Sequence, residues 1–236
     1  MREDERGFDR KVWGKVFDKG TLMAIYKLFN KGIFDRLKGE IAGGKEARVF
    51  LAINDHPLAV KIYRVTAVAF ETIWAYLRGD PRYQNVSKNR RSVIELWVRK
   101  EYANLTRLYS AGVDVPRPYA FQNNILVMEY IGPEGGGGAP MLKNLSRPDR
   151  TPELFNSIME DVRKMYTIAK LVHADLSEYN ILMHEGRHVI IDVGQSVDIK
   201  HPSSGKFLRR DIENIVRFFK VDRDVSELER WVKSHG

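Results

Sequence analysis

Four consecutive glycines, Gly135–Gly138, divide a chain of 236 residues into two stretches of different hydrophobic period. No helix or strand is expected to run through them, because glycine gives up more backbone freedom on ordering than any other residue. Before them, Thr21 to Leu37 carries apolar residues at helical spacing (Leu22, Ile25, Tyr26, Phe29, Ile33), with Thr21 as N-cap and Asn30 or Gly32 as the interruption. From Glu40 the period shortens. Residues 48–53 and 58–63 read as strands around an Asn54–Pro57 turn, 92–108 as a helix, and 119–121 and 125–130 as two further strands. Residues 66–92 are mixed and end in a basic polar stretch, which predicts a surface loop. Beyond the glycines, 154–170, 205–219 and 226–233 carry helical stripes, and 180–183 with 189–191 suit a hairpin. The expectation is an α+β chain: a helical extension over 1–39, a strand-rich lobe over 40–131 with an insertion at about 66–92, and a hinge linker with a helix-rich lobe over 132–236, with a cleft where the lobes meet.

Composition limits the chemistry. At 43% hydrophobic and 30% charged residues, the chain can bury a sizeable core, so wholesale disorder is excluded. The absence of cysteine removes disulfides, thiolate zinc sites and cysteine nucleophiles together. Lys+Arg 39 against Asp+Glu 31 leaves a formal charge of +8, which favours polyanionic partners such as nucleotide or RNA. The start, Met1 to Arg6, is too charged for a signal peptide and no apolar run approaches spanning length, so a cytoplasmic protein without membrane contact is expected.

The strongest chemical signal is the run from His173 to Leu182, in which Asp175 is followed five residues later by Asn180. In phosphotransferases a carboxylate orients the attacking hydroxyl or accepts its proton, while an amide oxygen five residues on ligates nucleotide-bound magnesium. Alone, this pattern also describes a polar turn before a strand. Asp192, seventeen residues after Asp175, ends the apolar run Val189–Ile191 before Gly194, where a metal-binding carboxylate would sit. Together Asn180 and Asp192 supply oxygen ligands from the two ends of one hairpin. His173 reads better as a brace for the backbone than as a proton carrier, and Asp211 as an acceptor for the backbone of the same loop.

Upstream, Lys61 interrupts an apolar strand on the face of Ala59 and Tyr63, and a lysine so placed needs an anionic partner. Glu101 shares a helix face with Trp97, Val98, Leu105 and Leu108 and is the candidate; the bland alternative is a snorkelling lysine and a solvated glutamate. Gly43 and Gly44 precede the lysine strand and allow backbone amides to approach phosphate, although no Walker A sequence is present.

Taken together, Gly44–Ala47, Ala59–Tyr63, Arg99–Leu105, Met128–Gly132, Leu171–Leu182, Ile191–Ser196 and His201-Pro202 resemble the RIO family of atypical serine/threonine protein kinases, in particular its first-numbered subgroup, over roughly residues 40–220. The resemblance implies a protein-kinase-like two-lobe fold lacking a long activation segment, with ATP and Mg2+, or Mn2+ in its place, as cofactors. It implies that Lys61 contacts ATP phosphates and pairs with Glu101, and that Met128 flanks the adenine while backbone groups of Glu129 and Ile131 bind it. Asp175 is then the catalytic base, Asn180 and Asp192 hold the metal, and Asp192 is able to accept phosphate. It also implies work on small ribosomal subunit maturation. Where the family usually has Ser-Thr in its phosphate loop, this chain has Ala42-Gly43, which removes two hydroxyls and leaves the backbone cradle.

Three functions compete: a serine/threonine kinase acting on itself or on a protein substrate, an ATPase assembly switch working through an Asp192 aspartyl-phosphate, and a basic module binding rRNA or a pre-ribosomal particle with a vestigial nucleotide site. The last draws on Arg82, Tyr83, Lys88–Arg91, Trp97 and the basic stretch 200–220, with a solvated basic surface as its bland alternative. The presence of Lys61, Asp175, Asn180 and Asp192 together argues against a vestigial site.

Overall fold

The computed structural model describes residues 16–65, 70, 73, 74, 77 and 89–234. Residues 1–15 of the expected helical extension and most of the expected insertion, including Arg82, Tyr83 and Lys88, lie outside the described residues. The chain divides into two compact units, one comprising Met1–Ala75, Asn85–Tyr102 and Arg117–Gly138, the other Tyr76–Gln84, Ala103–Pro116 and Ala139–Gly236.

In the first unit, helix α1 (Lys19–Asn30) precedes strands β1 (Arg36–Gly43), β2 (Ala47–Ile53) and β3 (Pro57–Tyr63). Helix α2 (Arg90–Ser110) begins in this unit and continues into residues assigned to the other; β4 (Pro118–Gln122) and β5 (Ile125–Glu129) complete the sheet. The strand order is β1-β2-β3-β5-β4, antiparallel throughout, so β3 is central. Period-2 alternation separates two apolar sets. Leu58, Val60 and Ile62 of β3 and Phe50 and Ala52 of β2 join Ala24, Ile25 and Leu28 of α1 in the main core. Leu51 and Ala59 instead form a smaller cluster with Tyr130, against which Ile41, Val49, Ile53 and Met128 pack.

One expectation at the start of this unit is corrected. The cap of α1 is Asp18, whose side chain accepts from the N–H groups of Gly20 and Thr21; Thr21 lies inside the first turn, and its hydroxyl donates to Asp18 Oδ2 at 2.6 Å. An ionised carboxylate accepts at both oxygens, which makes it the better cap here. The helix ends at Asn30, one of the two interruptions expected, so the apolar spacing that runs on to Leu37 does not continue it. Gly32 follows in the left-handed region at φ 68°, a conformation that ends helices cheaply only when there is no Cβ. Residues 36–43 then form an edge strand in which Leu37 alone is buried, so no alternation marks it in the sequence.

In the second unit, α3 (Pro152–Thr167) packs against α5 (Val225–Lys233), which also lies against α4 (Ser204–Phe219). Each buries one apolar stripe: Phe155, Ile158, Met159, Val162 and Met165 from α3, Leu208, Ile212, Ile215 and Phe219 from α4, Leu228 and Val232 from α5. Thr151 caps α3 by accepting from the Leu154 N–H, with Pro152 at the first position, and Asp224 caps α5. Two small antiparallel pairs carry the polar loop: β6 (Leu171–Val172) with β9 (Val197–Asp198), and the hairpin β7 (Ile181–His184) with β8 (Arg187–Ile190). Among the described residues, no helix is long and apolar enough to cross a membrane.

The main core of the first unit yields a direct test. Phe50 is 2% exposed and meets Phe17 edge to face at 5.2 Å between ring centroids. Phe50→Ala is expected to cost about 3–5 kcal/mol of unfolding free energy, read by denaturant titration.

Candidate active site

Lys61 lies on the central strand, opposite Val49 of β2 and Leu126 of β5. It belongs to the parity of Ala59 and Tyr63, as the alternation predicts, so the sheet face that carries the smaller apolar cluster also carries the lysine. Its ammonium donates to Glu101 Oε1 at 2.8 Å, with Lys61 8% and Glu101 1% exposed. The ion pair inferred from sequence therefore exists, and it is buried. A pair this deep in low dielectric holds only when the other lone pairs are also satisfied. The second carboxylate oxygen, Oε2, accepts the phenol O–H of Tyr63, and the Tyr63 ring lies 5.0 Å from the ammonium.

The remaining first-unit candidates surround that face. Met128 pairs with Ala59 across the sheet and packs on the Leu51–Ala59–Tyr130 cluster. The N–H of Glu129 is bonded to the Arg117 carbonyl at 2.8 Å, so a contact to a base through that N–H is closed. Ile131, just past β5, is buried. Gly43 ends β1, and the Gly44 N–H donates to Ala47 O at 2.9 Å, closing the turn into β2. That amide is spent on the turn, and neither glycine is in the left-handed region. A Cβ at Gly43 would approach Glu40 Oε1 to 2.2 Å, but that atom is the movable end of a partly exposed side chain paired with Arg48.

In the second unit the loop between β6 and β7 holds Asp175 and Asn180. Ala174 sits at φ 68°, a strained conformation for an alanine, and it persists because its surroundings leave it no alternative. Its N–H donates to Asp211 Oδ2 at 2.8 Å, the Leu176 N–H donates to Asp211 Oδ1 at 2.9 Å, and Arg210 donates to the Ala174 carbonyl. Asn214, one turn further along α4, donates to Leu176 O at 2.9 Å. Three residues of one helix thus grip the backbone of the two residues flanking Asp175. Asn180 Nδ2 donates to the Asp175 carbonyl at 2.8 Å and lies 3.4 Å from the Asp175 carboxylate oxygen Oδ2. The Asn180 carbonyl accepts from the Ile191 N–H, joining the loop to the segment that carries Asp192.

Asp192 takes a left-handed conformation at φ 61°, immediately before a 3-10 turn over Val193–Gln195. That turn is held by Asn104, whose Nδ2 donates to Val193 O at 2.8 Å and Ser196 O at 3.2 Å. His173 is buried, and its Nε2 donates to Ile191 O at 3.1 Å, the bracing role read from sequence; burial lowers its pKa to about 4, so it is neutral. Burial first, and the negative charge of Asp192 second, push the Asp175 carboxyl above the usual carboxylate range. Asp175 and Asp192 are therefore close enough for one carboxylate to feel the charge of the other.

Sequence reasoning identified the role of Asp211 but not those of Arg210, Asn214, Asn104 and the hydroxyl of Tyr63. Asn104 follows Glu101 by three residues on the same helix, which is the one signal that was there to be used. A second acidic cluster, Asp114, Asp161 and His188, brings its ligand atoms within 4.8 Å of one another. Asp161 accepts from His188 Nε2 (2.9 Å), Lys164 Nζ (2.8 Å) and the Asp114 N–H (3.0 Å), and Arg187 lies 3.6 Å from Asp114. Burial alone would raise the Asp161 pKa, but these hydrogen bonds outweigh it and hold the carboxyl low. With two cations alongside, the cluster ties β8 to α3 and is poorly suited to a metal.

Burial pushes the Asp211 carboxyl up to about 7, against the pull of the two backbone N–H groups and Arg210. From about pH 4 to about pH 7 the folded chain therefore holds a proton that the unfolded chain has lost, and stability falls as pH rises through that window. The slope from this group approaches about 1.4 kcal/mol per pH unit. Denaturant titrations from pH 4 to 8 are expected to show it in the wild type and not in Asp211→Asn. Asp211→Ala, which strands two buried N–H donors, is expected to cost about 1–3 kcal/mol per donor at every pH, read by the same titrations.

The profile of the RIO domain matches residues 48–229. The chain is 43% identical over 227 residues to the RIO-type serine/threonine-protein kinase Rio1 of Haloferax volcanii, covering 94% of this chain and 77% of that one. It is 39% identical to the serine/threonine-protein kinase RIO1 of Caenorhabditis elegans, covering 90% of this chain and 42% of that one, so it spans less than half of the animal protein. Among solved structures, the Rio2 kinase from Chaetomium thermophilum in an ADP/Mg2+-phosphoaspartate complex aligns with a TM-score of 0.71 at 21% identity, covering 92% of this chain and 67% of that one. At that identity the likeness carries the fold, which is protein-kinase-like and α+β. The five-stranded sheet with its buried lysine, the loop gripped from α4 and the sequence match agree, and the chain belongs to the RIO family of atypical serine/threonine protein kinases.

Proposed function

We propose that this protein transfers the γ-phosphoryl group of ATP to a serine or threonine hydroxyl, with Asp175 as the base. The observation that carries the reading is the grip on the loop: Asp211, Arg210 and Asn214 hold the peptides around Asp175, and Asn180 is bonded to its carbonyl. Enzymes of this class gain rate mainly by positioning and electrostatics, and a carboxylate fixed through its own backbone is suited to that.

In this reading ATP lies with its base toward the apolar set of Val49, Leu51, Ala59 and Met128 and with its phosphates toward Lys61. Ile131 offers backbone groups to the adenine, and Glu129 contributes by its carbonyl side. Gly43 and Gly44 admit the phosphates sterically. The Asn180 amide oxygen and the Asp192 carboxylate would hold magnesium, which when bound supplies positive charge to the phosphate oxygens. Asp175 orients the attacking hydroxyl. As the hydroxyl oxygen bonds to phosphorus, the bond from phosphorus to the β–γ bridging oxygen breaks, the proton passes to Asp175, and ADP leaves with the bond pair. The raised pKa of Asp175 makes it a better proton acceptor than an exposed aspartate.

Asp175→Ala is expected to lower phosphoryl transfer by about 10²–10⁴-fold while leaving ATP affinity near the wild-type value. The assay follows transfer from γ-labelled ATP together with calorimetric ATP binding, and an Asp175→Ala protein with full activity would overturn the reading. Hydroxylamine treatment of the labelled protein identifies the acceptor: phosphoserine and phosphothreonine survive it, whereas an acyl-phosphate on Asp192 does not. The +8 charge and the family resemblance support a place for this activity on an RNA-rich particle, the small ribosomal subunit precursor. Co-sedimentation with such precursors, stronger for Asp192→Ala than for wild type, is the expected result, and its absence at low salt would remove that part of the proposal.

A further inference from the structure

We propose that Tyr63 is a positioning residue for the phosphate-binding lysine, holding Glu101, and through it Lys61, in a single geometry before ATP arrives. The inference rests on the ATP-binding reading above and concerns only the first unit. Lys61 and Tyr63 are two residues apart on β3 and face the same side of the sheet, so one strand presents two donors to one carboxylate. Lys61 donates to Oε1 at 2.8 Å and Tyr63 donates to Oε2. The last torsion of a glutamate is broad and roughly two-fold, and a separate donor on each oxygen removes that freedom. The tyrosine ring, 5.0 Å from the Lys61 ammonium, adds a favourable cation–π contact on the same side.

Tyr63 is itself held firmly. It is 2% exposed. Its N–H donates to the Asn124 carbonyl at 2.9 Å, and its own carbonyl accepts from Asn124 Nδ2 at 2.8 Å. Asn124 Nδ2 also reaches Thr21 Oγ1 at 2.9 Å, on α1. A residue needed only to fill space here would pack as well as phenylalanine, but phenylalanine would leave Oε2 of a carboxylate that is 1% exposed without the phenol donor. The ammonium already bonded to Oε1 can then take up both oxygens, and a carboxylate turned to chelate Lys61 in that way draws the lysine toward itself and away from phosphate. The lysine–phosphate contact is made in the ground state, so its loss reads mainly in KM.

The test is Tyr63→Phe, with ATP varied at saturating magnesium and ATP binding measured by calorimetry. KM for ATP is expected to rise about five- to twenty-fold, with kcat within about threefold of wild type and binding weakened in proportion to KM. In a Glu101→Gln background the same substitution is expected to add no further rise in KM, because the two side chains act through one contact. Unchanged KM and affinity in Tyr63→Phe, with or without a lower melting temperature, would mean that the hydroxyl serves packing alone and would overturn the proposal. Equal effects in both backgrounds would also overturn it, because Tyr63 would then act independently of Glu101. If Tyr63→Phe does not fold, 3-fluorotyrosine at position 63 alters donor strength with little change in shape: a shifted KM supports the proposal, and an unchanged one sinks it. A wild-type protein that binds no ATP would overturn the nucleotide reading and this inference together. Wild-type binding matched by Tyr63→Phe overturns this inference alone.

Discussion

One carboxylate governs the polar half of this molecule. Asp211 is almost fully buried, yet it accepts the N–H groups on both sides of Asp175. Burying an ionisable group is costly, and the cost shows in its displaced pKa. The return is a loop whose backbone enters a left-handed conformation at Ala174 and stays there, because the helix that delivers Asp211 to the Ala174 N–H also delivers Arg210 to the carbonyl of the same residue. Without that grip the loop would be a short polar connection between a two-residue strand and a four-residue one, with little of its own to order it.

The sheet works on the same principle with different groups. Lys61 is an expensive residue for the middle of a central strand, and Glu101 offsets that cost by pairing with it while Tyr63 bonds the other carboxylate oxygen. Each unit thus buries ionisable groups at the place where the proposed chemistry needs charge, and each pairs them with hydrogen bonds rather than with apolar packing alone. The Asp161 cluster shows the contrasting case. Its charges are mutually satisfied and serve only to join a strand to a helix.

How much of this was legible in the sequence follows from periodicity. Strands β2 and β3 and helices α3, α4 and α5 carry clear two-fold or helical stripes, and their positions were readable within a few residues. Strand β1 was not, because an edge strand with only Leu37 buried has no stripe, and the apolar helical pattern before it extended past Gly32 on paper. Lys61, Glu101, Asp175, Asn180 and Asp192 were legible because spacing and residue type are jointly rare. Asp211 was legible from its place on an apolar helix. Arg210, Asn214 and Asn104 act through backbone carbonyls, and a carbonyl has no residue type to complement. Tyr63 looked like one more strand aromatic, since nothing in a sequence separates a phenol that packs from a phenol that donates.

The left-handed backbone at positions 174 and 192 restricts what can replace the residues there in a way that chemistry alone does not. A β-branched side chain is disfavoured at either site by sterics, whatever its polarity. Position 174 therefore admits mainly small residues and asparagine or aspartate, and at position 192 aspartate is selected twice, for its charge and for its ease in this conformation. Asparagine at 192 would preserve the backbone and remove the charge, whereas glutamate would keep the charge and strain the turn. The substitution most conservative in charge is thus the more disruptive in shape, and a table of residue similarity would rank the two the wrong way round.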